Sequence, residues 1–404
     1  MAVNLKHIPA PAPQPAPPAW GAWLLLLLTE LIAATLFAIF SDNLTSDITV
    51  GDFYKKVLTF PLLLWLGLLI LRLLWFQGQK ITAAHWNALR EQTLQQEIRR
   101  GRRSLQVLGY SLYSALREPA DGDGQQQAKA FQQNAQAART QASWHSEEGV
   151  RHSRLIRTAD ETPEQLLSRI LGQLLAELSQ LLASVPEEMP LALLLESSGG
   201  LTECQREAVW QRCWQASGIR QPVTPVTGNG LAAVDNWLDA HSYDRALLLV
   251  VAFQVDMEQP EHTAEAVVGL LLGNAGVING LTLLARLHRP EQAHQTAAQD
   301  FRYALAHSLE WAPVSTDAVA TGWLTGVEES WHKIIATELT TLSLPINPGR
   351  DLHNLDRTLG YPGAAAPWLA IACAAGNARS APQLIVSGDG TTETPLWSTV
   401  VMPA

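Results

Sequence analysis

The sequence predicts an α/β protein in which a transmembrane helical hairpin precedes a layered α/β domain. Three observations predict it. Residues 20–40 and 57–76 are apolar runs of about 20 residues, the length a helix needs to cross the roughly 30 Å core of a bilayer. Farther on, PLALLLE (190–196) and RALLLVVAF (245–253) are continuously apolar, as strands covered on both faces require. Segments with helical spacing and helix-start signals fall between such runs, so helices alternate with strands around a central sheet.

In order, residues 1–19 form a Pro-rich tail, an extended polyproline-like spacer. Residues 20–76 form the hairpin, residues 77–150 a membrane-proximal helix and polar linker, and residues 151–404 the α/β domain. The first apolar run carries one charge, Glu30, near its middle, where a carboxylate is costly unless protonated, paired or buried in protein; pairing with a neighbouring helix is the expectation, against a proton-relay role. Arg72 lies one turn from the end of the second run and can snorkel to the headgroups, too near the interface to meet Glu30 squarely. Trp20, Trp23, Trp75 and Phe76 are placed as interfacial aromatics.

Orientation follows from the basic residues. Lys80, Arg90, Arg99, Arg100, Arg102 and Arg103 follow the second run, while the connecting loop holds Asp42, Asp47 and Asp52 against Lys55 and Lys56. An excess of Lys and Arg marks the cytoplasmic side, so both termini and the main domain are expected there, in a multi-pass protein of a bacterial inner membrane. The cluster 99–103 also suits anionic lipid.

A helix continues over 81–100 until Gly101, and a strand is expected over 105–116. The Gln/Ala-rich stretch 121–141 reads as a loop passing into a polar helix. Thr162-Pro163-Glu164-Gln165 is a capping box with Pro at the first helical position, opening a helix with a broad apolar face. Beyond it, strands are expected at 190–196, 245–253, 264–272 and 280–286, the last two separated by the turn GNAGVIN. Two closing strands are expected at 383–387 and 397–402. Helices are expected at 202–215, 231–240, 292–309, 327–339 and 363–375.

The 28 Lys and Arg against 38 Asp and Glu give a net charge of −10, which excludes a nucleic-acid footprint. The three cysteines, Cys204, Cys213 and Cys373, have neither CxxC nor metal spacing and suit a reducing compartment. No histidines form HExxH or a close ligand pair, so neither a metal nor a cofactor is expected. SSGG and TGNG lack the Lys-Ser/Thr of a phosphate loop, and the acidic stretch 256–265 lacks calcium-loop spacing. Cys204 sits in a helix's first turn, where the dipole favours a thiolate, and is the candidate reactive thiol against a packed structural role.

The order of features is more specific than the class. The helix LAAVDNWLDAHSYD followed by the strand RALLLVVAF, the strand pair around AEAVVGLLLG and GLTLLARL, the stretch LDRTLGYPGAAAPWLAIACAA and the closing LIVSGDGTTETPLWSTVVM together resemble the thiolase-like fold of the condensing enzymes. The resemblance implies a nucleophile where a helix opens, a His after a Gly with a Lys five residues earlier, and a second His loop. Here the first position falls at Thr227 in VTGNGLAAV, with no thiol beside it. The His position holds Tyr361, the Lys position Asp356, and ATGWLTGVEE has no His. Acyl transfer needs an activated thiolate or alkoxide with a base in reach, so the resemblance implies a degenerate site with no catalytic residue. It also implies pairing into a homodimer.

In its membrane-proximal start and long α/β domain the chain is similar to the inner-membrane lipase adaptors of type VI secretion. That similarity implies a non-catalytic adaptor or chaperone that binds a secreted toxin effector, a phospholipase, and hands it to the secretion-spike component, with exposed aromatics such as those of 311–331 giving specificity. Two readings compete: a membrane-bound acyltransferase or condensing enzyme working through Cys204 or Thr227, and a membrane-anchored immunity or assembly protein.

Overall fold

The computed structural model describes residues 8–42, 51, 54–118, 121–122, 124–274, 281–378 and 381–404. Most of the connecting loop 41–56, with Asp47 and Asp52, and most of GNAGVIN lie outside them. Contacts separate two units, Asn4–Glu97 and Ile98–Ala404.

In the first unit α1 spans Trp20–Asp42, and α2, spanning Phe60–Gly101, begins after a short wide-turn helix at Lys55–Thr59. Both are long and apolar enough to cross a membrane, and only 6% and 11% of their apolar windows are buried inside the protein. Core helices of a soluble protein would be largely covered; these present leucines to the outside. The helices are tied by Trp65, whose Nε1 donates to the Trp23 carbonyl at 2.7 Å. Glu30 and Lys55 line one cavity of about 560 Å³ with Phe60 and Leu64, whereas Arg72 does not reach it.

The second unit is built on one sheet. Its strands are β1 (Ser104–Tyr113), β2 (Arg139–Gln141), β3 (Val150–His152), β4 (Leu191–Gly199), β5 (Val223–Pro225), β6 (Leu247–Val255), β7 (Ala266–Asn274), β8 (Ala285–His288), β9 (Glu291–Gln292), β10 (Thr321–Thr325), β11 (Leu352–Asn354), β12 (Gln383–Ser387) and β13 (Trp397–Pro403). Leaving aside the β2–β3 hairpin, the order is β11-β10-β12-β13-β8-β1-β7-β6-β4-β5, with β9 on β13. The two ends are parallel, β4 with β5 and β6, β10 with β11 and β12, and the middle is antiparallel. All nine residues of β6 and all nine of β7 are buried, which explains their apolar runs without alternation.

The helices of this unit are α3 (Gln125–Gln132), α4 (Pro163–Leu182), α5 (Glu203–Ala216), α6 (Gly230–Ala240), α7 (Ala298–Trp311), α8 (Glu329–Thr341), α9 (Leu355–Thr358) and α10 (Ala366–Asn377). The capping boxes form at both Thr162 and Thr202, each with Gln three residues on. Leucines of α4 pack with α5 over one face of the sheet, α6 and α10 cover the other, and α7 and α8 close the β10–β12–β13 end. Almost every residue of α10 is buried, so apolar and small side chains surround it on all sides.

Several expectations shift. The folded unit begins at Ile98, not at residue 151, because β1 is a central strand paired with β7 and β8. The strand expected at 280–286 is the shorter β8, and the helix expected from residue 292 starts at Ala298 behind β9. The basic cluster is partly spent inside the unit: Arg100 and Arg103 both pair with Asp239, so they do not stand free for lipid. Gly101, the last residue of α2, has no room for a side chain, because a Cβ there would run into the ring of Trp311, which is fully buried. Gly101→Val is expected to cost about 1–3 kcal/mol by overpacking, read as a lowered midpoint in urea unfolding.

Candidate functional site

In open α/β sheets ligands bind at the carboxyl ends of parallel strands, and the loops that resemble condensing-enzyme motifs lie there. At the carboxyl ends of β4 and β6, Ser198 and Gln254 are paired in register, and the Ser198 hydroxyl donates to Gln254 Oε1 at 2.8 Å. Gln254 Nε2 donates to the carbonyls of Ala264 and Tyr361 at 2.9 and 2.8 Å. The Ala364 amide donates to Ser198 Oγ at 3.1 Å. Gly363 has φ +53° and lies so close to Gln254 Oε1 and Ser198 Oγ that any Cβ would displace them. This polar knot pins the turn leading into α10.

Next to it lie the loops after β10 and β12. The Asp356 carboxylate, at the start of α9, accepts from Thr325 Oγ1 at 3.1 Å, the Gly326 amide at 2.6 Å and the Val327 amide at 3.4 Å. The residue is only partly covered, yet its carboxyl is desolvated. Its pKa is pushed up to about 7, desolvation outweighing the three donors that favour the charged form. Tyr361 has its ring between Gly326 and Gly390, where an added Cβ would stand 3.2 Å from it on either side. Burial, with Asp356 and Asp389 nearby, raises its hydroxyl above the ordinary phenol range.

Thr227 is placed elsewhere. It is exposed in the loop before α6, where Gly228 (φ +147°) and Gly230 (φ +50°) shape a tight turn. The Gly230 amide donates to Glu196 Oε1 at 2.7 Å, and burial raises the Glu196 carboxyl while this amide and the Trp368 indole pull it back. A strand-turn-helix elbow is therefore present. Thr227 lines a separate cavity of about 460 Å³ with Thr224, Asn236, Trp237 and His241. The structure thus gathers Asp356 and Tyr361 and leaves Thr227 apart. Cys204 is exposed in the first turn of α5. Among the described residues no group of His, Cys, Asp and Glu could hold a metal ion.

The Ser198–Gln254–Gly363 knot escaped the sequence reading. The only signal is polar residues closing two apolar strands, and SSGG by itself suggests no more than a phosphate loop without its Lys-Ser/Thr.

No protein-family model matches the chain, and no curated protein matches it in sequence. Solved structures do. The ishigamide ketosynthase/chain length factor is similar with a TM-score of 0.54 and 15% identity over 74% of this chain and 99% of its own. The PfaC keto synthase–chain length factor is similar with a TM-score of 0.52 and 10% identity over 75% of this chain, which spans 43% of that longer chain. The expected fold holds: the chain has a layered α/β fold of the thiolase-like kind, preceded by two helices apolar and long enough to cross a membrane.

Proposed function

We propose that this chain is a membrane-anchored adaptor that uses a ketosynthase-type scaffold for binding, without condensing chemistry. Its cargo in this reading is a secreted toxin effector of the phospholipase class, held on the cytoplasmic side of a bacterial inner membrane and passed to the type VI secretion spike. The observation that carries the reading is the use made of the three resembling positions. Asp356 clasps the Gly326 loop through three donors, the Tyr361 ring fills the space between Gly326 and Gly390, and Thr227 faces a different cavity. A clasp and a plug suit a rigid surface, whereas acyl transfer needs a nucleophile and base within hydrogen-bond reach.

The test is incubation of the purified chain with acyl thioesters followed by intact-mass spectrometry, alongside pull-down from native membranes. The expected result is no acyl adduct on Thr227 or Cys204, and co-purification of a lipase-type effector that Thr227→Ala does not diminish. A stable adduct on one side chain would establish the acyltransferase reading instead. Recovery of a neutralised toxin with no spike component would point to immunity.

A further inference from the structure

Beyond its first apolar helix, the first unit contains a peptide-binding geometry. The tail segment Pro9–Pro13 lies along α2, and the two enclose a cavity of about 780 Å³ lined by Ala10 to Pro13 on one side and Trp75, Gly78, Gln79, Thr82, Ala83 and Trp86 on the other. Positions 75, 78, 82 and 86 fall on one helical face, with small residues between two indoles, so the face is a shallow trough bounded by aromatics. Its polar groups address the tail's backbone. Arg90 Nε donates to the Pro9 carbonyl at 2.8 Å, Trp86 Nε1 to the Ala10 carbonyl at 3.3 Å, and Asn87 Oδ1 accepts from the Ala12 amide at 2.9 Å.

Such an arrangement has a physical logic. A Pro-rich segment forms no internal backbone hydrogen bonds and leaves its carbonyls available, and its stiffness lowers the entropy lost on docking. Aromatic grooves recognise polyproline by offering indole faces to pyrrolidine rings and N–H donors to carbonyls, and this trough carries both kinds of group. Ala12 stands between Pro11 and Pro13 and so offers an amide where its neighbours have none; that amide is the one Asn87 accepts.

We propose that the Trp75–Arg90 face of α2 is a polyproline-reading site whose occupant is the chain's own tail, bound in cis as a separable ligand. The test uses a fluorescein-labelled peptide of residues 8–19, titrated by anisotropy against the full chain and against the chain lacking residues 1–19, both in lipid nanodiscs. The tail-less chain is expected to bind it saturably. The intact chain is expected to bind at least about ten-fold more weakly, because a tethered competitor acts at an effective concentration near millimolar. In the tail-less chain, Arg90→Ala or Trp86→Phe is expected to weaken binding about five-fold, the worth of one hydrogen bond. Equal binding to both chains, or binding indifferent to both substitutions, overturns the site. A disulfide between Ala12→Cys and Asn87→Cys in a Cys204→Ser background is expected to leave the chain a monomer on a non-reducing gel. A cross-linked dimer would assign the tail to a second copy and overturn the cis assignment.

Discussion

Arg289→Ala is expected to destabilise the globular unit by about 3–5 kcal/mol, enough to remove a large part of the stability of an ordinary domain. Arg289 is fully buried in the turn after β8, and its guanidinium pairs with Asp235 and Asp239, one turn apart on α6. Asp239 also holds Arg100 at the end of α2. Desolvation raises the Asp239 carboxyl, but Arg100 and Arg289 together hold it well below the usual carboxylate range. Asp235 is pushed the other way by burial, against the pull of Arg289. Removing the arginine leaves Asp239 with Arg100 and takes from Asp235 the cation that most lowers its carboxyl, so the cost is that of a less compensated buried carboxylate more than of a lost attraction. Urea unfolding of Arg289→Ala beside Arg289→Met/Asp235→Leu separates the two. The double variant is expected to recover most of the loss, and equal loss in both would refute the weakened compensation of Asp235 as the cause.

The second large effect is a pH dependence. Burial pushes Glu291 up to about 7, while the Trp311 indole, donating to its Oε1 at 2.6 Å, and the nearby Arg289 pull it down and Asp235 adds to the rise. A carboxyl whose folded pKa exceeds its unfolded value binds its proton more tightly when folded. Its contribution is fully present below the unfolded value, near 4.3, and is lost as pH rises through the folded value. Asp356 acts with the same sign. His288 opposes both: burial lowers it to about 4, so it favours folding as pH rises between there and its unfolded value. Glu291→Gln keeps an acceptor for Trp311 and removes the titration. The difference in unfolding free energy between native chain and variant is therefore expected to fall by on the order of 3 kcal/mol between pH 4.5 and 7.5, then level off. A difference that stays flat across this range would show that Glu291 is ionised throughout.

Local signals made much of this fold legible. Thr162 and Thr202, each with Gln three residues on, announced α4 and α5, and unbroken apolar runs announced β4, β6 and β7. What was hidden is short and depends on neighbours. β5 is Val-Thr-Pro and β11 is Leu-His-Asn; neither has a run to read, and each is a strand because β4 or β10 supplies a parallel partner. β10 reads Thr-Gly-Trp-Leu-Thr, polar at both ends, yet four of its five residues are buried between β11 and β12. The site divides in the same way. The stretch from Leu355 to Ala375 was recognisable as a unit, and it places Asp356 and Tyr361 at one end of the sheet. The contacts that pin it come from Ser198 and Gln254, far away in sequence, whose side chains close apolar strands and carry no pattern of their own.

The central place of β1 sets a timetable for synthesis. It leaves the ribosome first among the strands, yet Leu105 pairs with Asn274 and Ser104 with His288. At about 5–20 residues per second, these partners follow roughly ten seconds or more later, and until then an apolar strand with both edges open has no native neighbour. A nascent chain of this kind depends on whatever shields that strand during the interval, and a truncated chain beginning at residue 151 would never receive it.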